Sequence, residues 1–217
     1  MRAENSISAG MAALHLGVMA SHGGSNLQAL IDAIEAGRLS ATIRLVVSNN
    51  PNAYALERAR QAGIPTAVIN AKSHPDEDAR DLAIRDALCD QGVHWIQLAG
   101  YMKKLGPRTI EAFPGRILNI HPGPLPRFGG KGMYGLHVHE AVLAAGVPYS
   151  GPTLHWVDGS YDTGPIVAHA PVPVLSEDTP ETLAARVLER EHSLLVETWQ
   201  QIAENSPTGE GDSIWGR

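Results

Sequence analysis

The sequence predicts an α/β protein with a mostly parallel central sheet and helices on both faces. Three observations carry that prediction. From Leu14 to His121, short apolar runs alternate with longer amphipathic stretches, and strands that alternate with helices form parallel sheets. Glycine closes most of the amphipathic stretches, at Gly37, Gly63 and Gly92. No internal repeat and no clean linker divides the 217 residues, so one domain is a better reading than two.

The elements follow in order. Leu14 to Ala20 is a short apolar run and reads as a first strand. A helix follows Ser21-His22-Gly23-Gly24-Ser25-Asn26, with Leu27, Leu30, Ile31 and Ile34 on one face. Ile43, Leu45, Val46 and Val47 make a second strand, closed by Asn49-Asn50-Pro51. Ala53 to Ala62 reads as a helix and Thr66 to Ile69 as a third strand. His74-Pro75-Asp76-Glu77-Asp78 opens a third helix, whose acidic first turn suits the helix dipole. Leu82, Ala83, Ala87 and Leu88 are its expected apolar side, and Cys89 is expected to be a small core residue within it. Trp95 to Leu98 is a fourth strand, and a short helix near Pro107 to Phe113 leads into the fifth.

The fifth strand runs through Ile117-Leu118-Asn119-Ile120-His121 and stops at Pro122-Gly123-Pro124, because proline has no N–H for a ladder. The remainder is patterned differently. Lys131 to Gly146 holds a glycine-rich loop and a helix; Thr153 to Val157 and Ile166 to His169 read as two more strands. Thr179-Pro180 begins a long helix, with an N-cap hydroxyl and then proline at its first position. Its core side is Leu183, Val187, Leu194, Leu195, Trp199 and Ile202.

Composition narrows the function classes. Hydrophobic residues are 43% of the chain, enough for a sizeable core. A net charge of −6 and scattered basic residues point away from nucleic acid. One cysteine excludes an internal disulfide and suits a reducing, cytoplasmic compartment. No apolar run approaches the ~20 residues of a membrane span. Residues 1–13 read as a disordered extension rather than a signal peptide, and residues 206–217 as a flexible tail.

Three stretches carry chemistry. Asn119 and His121 are two apart, so on a strand they project together from its end, where ligands sit in open α/β sheets. An imidazole moves protons near neutral pH, and an amide N–H can donate to an oxygen that gathers charge. A buried, hydrogen-bonded histidine and a turn asparagine would look the same. Gly23-Gly24-Ser25-Asn26 sits between a strand and a helix, where free N–H groups bind anions; an ordinary turn would also read this way. Asp158 to Pro165 is a turn-rich loop with two carboxylates, of which Asp162 is the candidate partner for His121, although spacing alone does not pair them. His137-Val138-His139 lacks the cysteines or carboxylates of a familiar metal set, so no metal is expected. No Gly-x-Ser-x-Gly elbow is present.

Taken together, the chain resembles the phosphoribosylglycinamide formyltransferases, the folate-dependent transformylases of purine synthesis. The residues that carry the resemblance are Gly24-Ser25-Asn26-Leu27-Gln28, Ser48-Asn49, Leu98 to Met102, Leu118 to Pro122, Asp162 to Pro165 and Arg186 to His192, in the family's order. It implies a Rossmann-like formyltransferase fold over residues 14–205, with a mixed C-terminal portion. It implies 10-formyltetrahydrofolate as co-substrate and glycinamide ribonucleotide as acceptor, with a monomer or homodimer as the assembly. By the same resemblance Asn119, His121 and Asp162 are the catalytic residues. Gly24, Ser25 and Asn26 would hold the phosphate end of the ribonucleotide, with Leu188, Glu189, Arg190 and Glu191 a second contact. Met102, Lys103, Lys104 and Leu105, together with Asn119 and the loop Asp158, Gly159, Ser160, Tyr161 and Asp162, would hold the folate.

Some positions depart from the family. Phe128 to Tyr134 is longer than in the compact bacterial form and matches a glycine-rich long version. Lys103 stands where arginine is common, Leu188 where many members are polar, and Asp76-Glu77-Asp78 lacks an arginine expected near the substrates. Formyltetrahydrofolate hydrolase shares the Asn-His-Asp centre but usually has a regulatory domain ahead of the first strand. Methionyl-tRNA formyltransferase would need a basic C-terminal domain. A non-catalytic nucleotide- or folate-binding module is the third alternative.

Overall fold

The computed structural model describes residues 13–206. The extension and tail expected over residues 1–13 and 206–217 fall almost wholly outside them; Ser206 is buried as the residue that ends the last helix.

Seven strands form the main sheet in the order β3-β2-β1-β4-β5-β7-β8. Strands β1 (Leu14–Met19), β2 (Ala41–Ser48), β3 (Thr66–Val68), β4 (Trp95–Leu98) and β5 (Ile117–His121) are parallel. β7 (Thr153–Trp156) and β8 (Ile166–His169) are antiparallel, which is the mixed C-terminal portion. The order reverses between β1 and β4, and the cleft outside that switch point is where such sheets bind ligands. A separate pair, β6 (Tyr149–Ser150) with β9 (Val172–Pro173), was not legible, because two-residue strands carry no period.

Helices cover both faces. Against one face pack α1 (Ser25–Glu35), α2 (Tyr54–Gln61) and α6 (Pro180–Asn205), through Leu27, Leu30, Leu56, Leu194 and Trp199. Against the other pack α3 (Glu77–Asp90) and α4 (Pro107–Ala112), through Ile84, Leu88 and Ile110. A third cluster joins Phe128 to α5 (Leu136–Ala144) and α6, through Val138, Val142, Leu183 and Val187. Strand alternation sorts the faces: Leu118 and Ile120 belong to the first core and Ile117 to the second, so Asn119 and His121 continue the second face beyond its apolar end.

Local signals explain several elements. Asp76 caps α3, its carboxylate accepting from Ala79 N–H at 2.7 Å. Thr179 and Thr182 form a reciprocal capping box at the start of α6, with Pro180 in the first turn. Gln97 is polar yet fully buried in β4, because its side-chain oxygen accepts from Trp199 Nε1 at 2.8 Å. Cys89 corrects the expectation: it is exposed. Ile84 and Leu88, one turn apart, define the buried stripe of α3, and residue 89 is rotated about 100° off it.

Candidate active site

Asn119 and His121 share one face of β5, as two-residue spacing demands. Register then brings in a residue that strand patterning could not: His155 of β7 lies directly opposite Asn119. The His155 Nδ1 faces the Trp156 carbonyl at 2.8 Å, so that nitrogen carries the proton. The Asn119 amide donates to His155 Nε2 at 3.1 Å and lies 3.4 Å from Asp162 Oδ1. Asp162 closes the group from the β7–β8 loop, with Oδ2 at 3.5 Å from His121 Nδ1 and Oδ1 at 3.3 Å from His155 Nε2. It is the sole non-glycine residue with positive φ, 55°, among those described; such a conformation costs about 1–3 kcal/mol and gathers at functional sites.

Burial dominates the electrostatics. It lowers the pKa of His121 below the ordinary histidine value, against the Asp162 carboxylate and the Phe128 carbonyl, which both raise it. The Asp162 carboxylate acts on His121 as a partner should, but in the free protein desolvation outweighs it. Burial also pushes Asp162 up, but the neighbouring His155 and His121 rings and the hydrogen bond from the Gly130 N–H together hold its pKa below the usual carboxylate value.

The opposite wall comes from α1 and α6. The Asn26 amide donates to Glu191 Oε2 at 2.8 Å, both residues buried. Burial pushes Glu191 up to about 7, with only the Asn26 bond opposing it. These two residues line the same cavity, about 360 Å³, as Asn119, His121 and Asp162. Met102 also lines it, as does the glycine-rich segment from Gly130 to Gly135.

The other expected ribonucleotide residues are spread out. Gly24 stands at the α1 N-terminus with φ 71°, where an added Cβ would lie 2.6 Å from Ala55 Cβ. Close approach of α2 by itself requires glycine at this position. No side chain caps the α1 N-terminus, so its first N–H groups stay available. Ser25 and Glu189 line a second groove of about 520 Å³ between α1 and α6. Arg190 turns outward to Glu197, and Leu188 is exposed. Consecutive residues of one helix fan around its axis, so residues 188–191 cannot all face one ligand.

On the expected folate side, Lys103, Lys104, Leu105, Gly159, Ser160 and Tyr161 meet Asn119, His155 and Asp162 around a recess of about 70 Å³. Asp158 instead shapes the loop, accepting from Ser160 N–H and the Thr163 hydroxyl. The recess adjoins a cavity of about 800 Å³ that Arg80 lines with Lys72, Lys103 and Lys104. Residues 76–78 carry no arginine, but Arg80, further along α3, lines this cavity. His137 and His139 both lie within α5, the first exposed and the second buried.

The comparisons with known proteins follow. Residues 15–199 match the Formyl transferase family model. The chain is 45% identical over 190 residues to the chloroplastic phosphoribosylglycinamide formyltransferase of Arabidopsis thaliana, covering 87% of this chain and 65% of that protein. It likewise spans just under two thirds, 64%, of the Vigna unguiculata relative. To the Escherichia coli (strain K12) phosphoribosylglycinamide formyltransferase it is 37% identical, covering 86% of each. The glycinamide ribonucleotide transformylase 1 structure from Symbiobacterium toebii superposes with a TM-score of 0.84 at 39% identity, covering 93% of this chain and 92% of that one. Agreement at this level in sequence and in fold places the chain in the phosphoribosylglycinamide formyltransferase family.

Proposed function

We propose that the protein transfers the formyl group of 10-formyltetrahydrofolate to the amine of glycinamide ribonucleotide. The observation that carries the reading is one cavity bordered by Asn119, His121 and Asp162 on one side and by Asn26 and Glu191 on the other. The ribonucleotide lies toward α1 and Glu191, with its phosphate at the uncapped N–H groups of Ser25 and Asn26. The folate enters through the recess beside Leu105 and the 158–162 loop.

The substrate amine bonds to the formyl carbon and negative charge gathers on the formyl oxygen; collapse of this tetrahedral species then breaks the bond from that carbon to the folate nitrogen, which leaves as the amine. The Asn119 amide donates to that oxygen; its 3.4 Å contact with Asp162 is long enough to exchange for a better acceptor. His121 is neutral at rest and takes up the proton that the attacking nitrogen releases, directly or through water, and the Asp162 carboxylate balances the imidazolium until that proton is passed on. The proton that leaves the attacking nitrogen reaches the folate nitrogen by side chain or water. The reaction needs no covalent bond to the enzyme. The single, exposed Cys89 supports a reducing, cytoplasmic setting as part of this proposal.

The test is a spectrophotometric assay of folate deformylation with and without glycinamide ribonucleotide. Ribonucleotide-dependent deformylation is the expected outcome. Deformylation that ignores the ribonucleotide would assign the hydrolase reaction instead, and binding without turnover would assign a binding module.

A further inference from the structure

The glycine-rich segment after β5 touches both ionisable members of the centre through its backbone alone. The Phe128 carbonyl accepts from His121 Nε2 at 2.7 Å, and the Gly130 N–H donates to Asp162 Oδ2 at 2.9 Å. We propose that Phe128-Gly129-Gly130 is a backbone clamp that selects the Nε2–H form of neutral His121 and seats Asp162 against its Nδ1, with Gly129 as the positioning residue. Its kinetic arm rests on the formyl-transfer reading; its spectroscopic arm does not.

The argument begins with donors and acceptors. A carbonyl only accepts, so a 2.7 Å contact with it requires a proton on His121 Nε2. A neutral ring has one N–H, which leaves the Nδ1 lone pair facing Asp162 Oδ2, itself an acceptor. Two facing acceptors stay apart, and this contact is 3.5 Å. Any proton the ring takes up must bind Nδ1, and it then points at the carboxylate. In the imidazolium Nε2–H keeps the Phe128 carbonyl, and Nδ1–H faces a carboxylate oxygen 3.5 Å away that a small approach brings into bonding range. The clamp therefore makes Nδ1 the proton-accepting atom.

The clamp is rigid for identifiable reasons. Phe128 is buried in the third core against α5 and α6, and its N–H donates to the Pro124 carbonyl at 3.0 Å. Gly129 lies between two walls: an added Cβ would meet Leu125 Cδ2 at 2.3 Å and Asp162 Cβ at 3.0 Å. Its backbone is outside the left-handed region, so alanine there tests space and not strain. The other titratable groups around the ring are His155 on β7 and His139 on α5, and both act to lower its pKa or their own through like charge.

The experiment is two-bond proton–nitrogen correlation NMR on protein labelled with 15N-histidine, followed from acid to alkaline pH. The wild type should show His121 leaving its doubly protonated form as the Nε2–H tautomer; an Nδ1–H tautomer would overturn the clamp. Gly129→Ala should introduce the other tautomer and move the acid limb of the rate profile. Displacements near 1 Å cost up to about 10²-fold in turnover, so kcat should fall toward that range with little change in either KM. An unchanged spectrum and kcat would remove Gly129 from the role. Should Gly129→Ala not fold, Gly129→Ala with Leu125→Ala relieves the tighter clash and leaves the Asp162 contact to be read. A wild type with the Nε2–H tautomer but no formyl transfer would keep the clamp and defeat the functional reading.

Discussion

Two carboxylates face the same cavity and behave in opposite ways. Asp162 sits on a strained loop among three donors or potential cations and is held below the ordinary carboxylate value. Glu191 sits on a regular helix with one amide donor, and burial pushes it up to about 7. The difference is one of supply. Gly130, His155 and His121 stabilise the anion at Asp162, whereas Asn26 alone cannot offset the desolvation of Glu191. Asp162 is thus held as a standing charge beside His121. Glu191 is an acceptor short of donors, and the hydroxyl or amide groups of an incoming ligand are what would supply them.

The strongest way to break this comparison is Asp162→Asn. Asparagine tolerates positive φ, so the substitution removes charge and keeps the turn. In other carboxylate–imidazole pairs this change costs about 10⁴ in turnover, and a loss of that order is expected here. NMR titration should place the His121 midpoint lower still, since the carboxylate raises it. An unchanged midpoint with turnover preserved would reduce Asp162 to a loop former. Next in size is Asn119→Ala, for which loss of one oxyanion donor predicts a fall of about 10²–10³ in kcat, read by the same deformylation assay. Glu191→Gln sharpens the other side. A hydrogen bond to a charged group contributes about 1.5–3 kcal/mol, so the KM for the ribonucleotide should rise at least about tenfold while the KM for the folate holds. Equal changes in both would separate Glu191 from the ribonucleotide.

The smallest effect concerns stability. Glu191 binds its proton more tightly folded than unfolded, since its value rises from 4.5 to about 7. Its contribution is therefore full below pH 4.5 and lost as pH rises through about 7. Denaturant unfolding of the wild type should weaken across that window, and Glu191→Gln should flatten the slope. Asp162 has the opposite sign: its contribution is present at neutral pH and lost in acid.

Much of this molecule could be read from the chain, and the unread parts share a physical reason. Periodicity and caps locate α1, α3 and α6, because helices advertise themselves within a few residues. Two-residue spacing puts Asn119 and His121 on one side of β5 without any tertiary knowledge. His155 was read only as part of a strand, since what makes it important is its register with Asn119, and register between distant strands leaves no local mark. At Gly24 the close neighbour Ala55, 31 positions on, is a second reason for glycine that the local sequence does not show. Likewise, the lowered pKa of His121 depends on burial, which sequence spacing does not report.

The bond from Trp199 to Gln97 spans 102 positions of chain and bears on the order of assembly. The five parallel strands lie before residue 122, yet one face of their sheet is closed by α6, whose Leu194, Leu195, Trp199 and Ile202 arrive last. During synthesis the sheet can hydrogen-bond its ladders early but must wait for this helix to cover its apolar face. Glu191 arrives on the same helix. Completion of the core and of the cavity wall is consequently one late event, so partly made chains hold an exposed apolar face and an open cavity together.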